Sequence, residues 1–169
     1  MPRSPVKIVK KLIARTRLNA LIRSLRRKEQ KIVFTNGVFD ILHRGHVDYL
    51  TKAKSYGDVL IVGLNSDASA RRLKGPDRPL QKQSDRAAVL AALEVVDYVV
   101  VFSSDTPEKL ILQVRPDVLV KGADYAIDEI VGADYVRSYG GKVRRVRVTK
   151  GRSTSTIIER IESSGRDKP

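Results

Sequence analysis

The sequence predicts a three-layer α/β domain, a doubly wound parallel sheet of five strands with helices on both faces. Two observations carry that prediction. Short apolar, β-branched runs alternate with segments of helical spacing, and the connections are brief, which is the pattern of parallel strands joined by crossover helices. Polar and glycine-bearing residues also collect directly after each apolar run, where open parallel sheets bind their ligands.

The chain opens on a basic arm, residues 1–28. Ten of the 33 Lys and Arg lie there with none of the 19 acids, which leaves 23 basic residues against 19 acids in the rest. Of the net charge of +14, +10 therefore belongs to the arm and only +4 to the body. Nucleic acid is not an expected partner on that evidence. Ile8, Val9, Leu12, Ile13, Leu18, Leu21, Ile22 and Leu25 recur at helical spacing. They predict one or two amphipathic helices docked on the domain, with a solvated Lys/Arg face.

The domain itself is expected over residues 29–162, with residues 163–169 a disordered tail. Strands are expected at 31–35, 58–63, 95–101, 117–120 and 142–148. Helices are expected at 46–56, 66–73, 84–93, 106–115, 127–139 and 153–162. Thr106-Pro107-Glu108 reads as a helix start with Pro at the first helical position, and Gly57 and Gly140-Gly141 read as C-terminal stops. With no Cys there is no disulfide framework or thiolate metal site, which fits a cytoplasmic location. No apolar run approaches the roughly 20 residues that cross a membrane.

The most informative stretch follows the first strand, where both histidines of the chain occur in His43-Arg44-Gly45-His46. At i and i+3 on a starting helix turn, both imidazoles face one side. Gly45 leaves room for a phosphate beside the backbone, and the helix N-terminus adds N–H donors. Such a site stabilises charge on an α-phosphate under attack without a protein nucleophile. A two-His metal site would need carboxylates to complete it, so no metal site is assigned. Lys121-Gly122 follows the fourth strand and suits a charge neutraliser. Ser153-Thr154-Ser155-Thr156 follows the fifth, with more hydroxyls than helix capping needs. Arg71, Arg72, Lys74, Arg78, Lys82 and Arg86 crowd a Pro/Gly-punctuated segment; Arg78 and Arg86 are the preferred anion ligands.

Together these segments resemble the HxGH nucleotidyltransferase superfamily, with the signature at His43-Arg44-Gly45-His46 and a second, Ser/Thr-rich signature at Ser153-Thr154-Ser155. Within it the chain is most similar to the bacterial heptose 1-phosphate adenylyltransferases. That match includes Thr35-Asn36-Gly37, Asn65-Ser66-Asp67, Arg78-Pro79, Asp105-Thr106-Pro107 and Lys121-Gly122. The resemblance implies a Rossmann-like nucleotidyltransferase fold and transfer of AMP from ATP with Mg²⁺ to a sugar 1-phosphate, for lipopolysaccharide core synthesis. It implies His43, His46 and Lys121 as catalytic residues. It places Thr35, Asn36, Gly37, Phe39, Asp40, Gly45, Arg86, Gly122, Ser153, Thr154 and Ser155 at the nucleotide. Asn65, Asp67, Arg78, Asp124 and Tyr125 would meet the sugar phosphate. It also implies a homodimer, and a separate heptose kinase upstream. This chain departs from the family pattern at Val38, where Cys is frequent, and at Ala123, where Gly is common.

Two enzymes and one binding module compete with that reading. A glycerol 3-phosphate cytidylyltransferase would carry Arg before Val96-Asp97, where this chain has Val95. An FAD synthetase shares Phe39-Asp40-Ile41-Leu42-His43 but not the Arg78-Pro79 match. A nucleotide- or RNA-binding module would use the arm and predicts steeply salt-dependent binding; it leaves the histidine pair unexplained.

Overall fold

The computed structural model describes residues 6–147 and 154–166. Five parallel strands, β1 (Ile32–Gly37), β2 (Val59–Asn65), β3 (Tyr98–Phe102), β4 (Val118–Gly122) and β5 (Lys142–Val146), form one sheet in the order β3-β2-β1-β4-β5. The first strand is thus central, flanked by β2 and β4, and the winding reverses there. That reversal opens a crevice at the carboxyl ends of β1 and β4.

Strand alternation sorts the core into two layers. Val33, Leu60, Val62 and Val120 point to one face, under helices α3 (Arg44–Lys54) and α5 (Gln83–Ala92). Ile32, Phe34, Ile61 and Leu119 point to the other, under α2 (Arg15–Arg27), α6 (Glu108–Val114) and α7 (Ala133–Ser138). Helix α4 (Asp67–Lys74) follows β2 directly, its N-cap Ser66 side chain accepting the Ser69 N–H. The doubly wound five-stranded sheet expected from the sequence is the one observed.

The arm is two helices, α1 (Val6–Lys11) and α2. Leu18 and Leu25 on α2 are fully or almost fully buried. Between the helices, Leu12 bridges Val99 in parallel and the Ile13 N–H donates to the Val99 carbonyl at 2.9 Å. This covers the open edge of β3. At the opposite edge, Lys142, Arg144 and Arg145 present charge to solvent.

Several boundaries differ from the sequence expectation. The segment 127–139 is a 3-10 turn (Ile127–Glu129) and then α7, divided by Gly132 at φ 84°. A Cβ at Gly132 would approach Ile111 to 2.9 Å, so packing as well as φ selects glycine there. Strand β3 begins at Tyr98 because Val95 and Val96 belong to a turn, with the Val96 N–H donating to the Leu93 carbonyl. Pro107 caps α6 from outside, one residue before the expected position. Gly57 lies beyond the helix cap, Ser55. It is there because a Cβ would meet the Lys31 carbonyl and Val33 at 2.7 Å. The last helix, α8 (Thr154–Arg166), runs into the expected tail, where the Ser163 and Ser164 hydroxyls donate to the Arg160 carbonyl.

Candidate active site

A cleft of about 850 Å³ opens at the carboxyl ends of β1 and β4. It is large enough for a nucleotide and a second small substrate. Its floor is the turn from β1 into α3. His43 is the N-cap of α3, in extended conformation at φ −140°. Its Nδ1 accepts the Gly45 N–H at 3.1 Å, and the His46 Nδ1 accepts the His43 N–H at 3.4 Å. The pair is therefore a reciprocal helix cap made of imidazoles. With each Nδ1 accepting a backbone proton, each ring carries its own proton on Nε2.

The rings lie 4.0 Å apart, and Phe39 meets His46 edge-on at 5.4 Å. Burial, and then the neighbouring His43, lower the His46 pKa to about 4. His46 is thus a neutral N–H donor near pH 7. Phe39 reaches its position through a left-handed backbone at φ 46°. A Cβ on Gly37 would come within 3.0 Å of the Phe39 ring, so glycine there makes room for the aromatic wall.

Lys121, next to last in β4, has its Nζ 3.5 Å from the Asn36 carbonyl oxygen, across the β1–β4 crevice. Its ammonium lies over the Tyr125 ring, 5.5 Å from the centroid. Burial lowers its pKa to about 8, and Asp124 works in the opposite direction. The same wall carries the buried Asn36 Oδ1, which has no hydrogen-bond partner among the described residues.

The cleft brings together most residues expected from sequence. Asn36, Gly37, Phe39, Asp40, Gly45 and Gly122 line it with His43, His46 and Lys121, and so do Asn65, Arg78, Asp124, Tyr125 and Thr154. The Thr154 hydroxyl donates to the Ile41 carbonyl at 3.2 Å, tying α8 to the floor. Ser153 and the Ser155 side chain lie outside the described residues.

Three expected residues face elsewhere. Thr35 is fully buried, its hydroxyl 2.7 Å from the Tyr49 hydroxyl, which donates in turn to the Val120 carbonyl. Arg86, expected at phosphate, is 1% exposed. Its guanidinium donates to the carbonyls of Val38, Asn65 and Gln81, and to the Asp67 carboxylate at 2.7 Å. Asp67 is the carboxylate partner in that ion pair and is not among the residues lining the cleft. In each case the polar group satisfies a neighbouring loop or helix that sequence position alone does not reveal.

Tyr49 and Glu129 are cleft residues that the sequence reading missed. Tyr49 sits three residues after His46 on the same helix face, a signal that was available. Glu129 carries no such signal, because its place depends on the 3-10 turn, where its carboxylate accepts the Ala126 N–H. No group of three metal-ligating side chains occurs among the described residues, and no described helix is long and apolar enough to cross a membrane.

Phosphate-compatible donors on a strand-to-helix turn, opposite a strand-end lysine, match what sequence comparison finds independently. A cytidylyltransferase-like family model covers residues 34–160. The chain belongs to the cytidylyltransferase-like family. It is accordingly a nucleotidyltransferase. The bifunctional protein HldE of Syntrophotalea carbinolica is 56% identical over 151 residues, which are 89% of this chain and 31% of that protein. The bifunctional protein HldE of Helicobacter pylori is 55% identical over 150 residues, 89% of this chain and 32% of that protein. The chain thus spans about a third of these relatives.

Among solved structures, a lipopolysaccharide core biosynthesis protein from Thermoplasma volcanium is 32% identical, with a TM-score of 0.60 over 73% of this chain and 99% of that one. A pantoate-beta-alanine ligase from Francisella tularensis shares the fold at 20% identity, with a TM-score of 0.61 over 85% of this chain and 69% of that one. Both share the α/β fold of the sheet described above.

Proposed function

We propose that this domain transfers AMP from ATP to a sugar 1-phosphate, D-glycero-β-D-manno-heptose 1-phosphate, giving ADP-heptose and pyrophosphate for lipopolysaccharide core synthesis. The observation that carries the chemistry is the imidazole helix cap lining one cleft with Lys121, whose ammonium reaches from β4 to the Asn36 carbonyl of β1. The match to two HldE proteins over this domain supports a sugar-phosphate acceptor.

In this reading a phosphate oxygen of the sugar attacks the α-phosphorus of ATP. A new P–O bond forms, the bond to the bridging oxygen breaks, and pyrophosphate leaves with its electrons. His43 and His46 donate Nε2–H to α-phosphate oxygens as charge develops, and their fixed tautomers mean no reorganisation is needed. Lys121 balances the charge moving toward the leaving group. Gly45 lets the phosphate approach the N-terminus of α3.

Mg²⁺ would neutralise the triphosphate, and it is usually held by phosphate oxygens and waters more than by the protein. The donor set fits that mode: the cleft offers single oxygen ligands such as the Asp124 carboxylate and no metal cage among the described residues.

The test is pyrophosphate release over a matrix of nucleoside triphosphates and acceptor phosphates. Release is expected only with ATP, Mg²⁺ and the sugar phosphate together. Equal or faster turnover with CTP and glycerol 3-phosphate would sink the assignment. His43→Ala and His46→Ala should each lower kcat roughly a hundredfold, the scale of losing one charge-stabilising donor, with the fold intact by circular dichroism.

A further inference from the structure

Asp40 borders the cleft, yet its carboxylate is fully engaged with one loop. The Leu80 N–H lies 2.9 Å from both oxygens, the Gln81 N–H 3.0 Å from Oδ1, and the Arg78 Nη1 3.0 Å from Oδ2. Burial alone would raise its pKa; the N–H groups of Gln81 and Leu80 and the Arg78 guanidinium outweigh it and hold the carboxyl below its usual range. Asp40 is thus a buried carboxylate satisfied by a loop, without a ligand.

That loop has little else to fix it. Leu80 at its tip is 58% exposed, so apolar burial contributes little there. From beneath, the buried Arg86 takes the Gln81 carbonyl and joins it to the carbonyls of Val38 and Asn65. Two buried charges therefore lace together the turns after β1 and β2 and the loop before α5. The Arg78 side chain has no second partner among the described residues, although it lines the cleft. Its other guanidinium N–H groups are left as donors at the cleft wall, and a guanidinium fork suits an oxyanion.

We propose that Asp40 and Arg86 are positioning residues: they hold Arg78 at the cleft wall to meet a substrate phosphate, and neither touches substrate. This rests on the phosphate-transfer reading of the cleft. It reassigns two residues that look like nucleotide ligands in the sequence. It also makes Arg78 the contact through which both act.

The experiment is a double-mutant cycle on the full chain with Asp40→Asn and Arg78→Gln, paired with amide hydrogen exchange. Each single variant should raise the KM of one and the same substrate roughly tenfold with kcat within about twofold, the signature of lost binding. Whether that substrate is ATP or the sugar phosphate identifies the phosphate that Arg78 meets. The double variant should be no worse than Arg78→Gln, because Asp40 acts through Arg78. In Asp40→Asn, the Leu80 and Gln81 amides should exchange faster while β1 amides do not. Additive losses, or unchanged exchange at Leu80 and Gln81, would overturn the proposal. If Asp40→Asn fails to fold, Arg86→Lys takes its place in the cycle, with the Gln81 amide as the probe. If the unaltered protein turns over no sugar phosphate, the functional reading fails; the cycle is then run on ATP binding by calorimetry, with the same criterion.

Discussion

Lys121 and His46 are both shifted by burial, and their shifts carry opposite pH consequences. Lys121 titrates near 8, so it is mostly a cation at neutral pH and loses its charge as pH rises through that value. The expected outcome is an alkaline limb in kcat/KM near pH 8, a parameter that reports the free enzyme. Lys121→Arg should move the limb beyond pH 10, since a guanidinium does not deprotonate there; an unmoved limb would assign it to another group. His46 has a folded pKa of about 4 against an ordinary 6.5. The unfolded chain binds the extra proton between those values, so stability rises with pH across that window. The contribution is complete above about pH 6.5 and is lost as pH falls toward 4. Urea midpoints at pH 7 and pH 5 should therefore differ more for the unaltered protein than for His46→Asn. Among single residues, the histidines and Lys121 were legible because strand ends converge on a ligand. Thr35 was legible in principle too: it shares the alternation of Val33 and so points under α3, not into the cleft.

Helix α2 shows how an element can look peripheral and belong to the core. Its basic residues, Arg15, Arg17, Arg23, Arg27 and Lys28, face solvent, while Leu18 and Leu25 join the layer of Phe34, Ile61 and Ile111. Truncating a buried leucine removes transfer energy and leaves a cavity, typically about 2–5 kcal/mol. Leu25→Ala should accordingly destabilise the protein by roughly as much as Leu110→Ala in sheet-packed α6. A loss below about 1 kcal/mol in denaturant unfolding would mean the arm is an appendage. The amphipathic spacing announced this helix. Its division from α1 was hidden, because the break at Leu12 and Ile13 serves the edge of β3. The same limit split the expected helix over 127–139: the break at Gly132 answers to Ile111, which is far away in sequence.

At the scale of the molecule, arm and sheet form one packed body, so they should unfold together. Native-state hydrogen exchange of α2 amides should report the same opening free energy as β1 amides, as expected for one cooperative unit. Separate, weaker protection of α2 would divide the chain into two units. Alternation and composition by themselves determined the layered parallel sheet and the basic arm, because hydrophobic period and strand–helix order are local properties of the chain. They also determined where the phosphate chemistry collects, because strand ends share one edge of a parallel sheet. Only the tertiary structure decided which polar residues keep donors or acceptors open to the cleft. Asp40 at its border and Arg86 beneath the loops are buried charges, and burial obliges a charged group to find partners; the half-buried Asp67 serves as one of them. The nearest were loop N–H groups, loop carbonyls and each other's side chains, brought together from distant parts of the sequence.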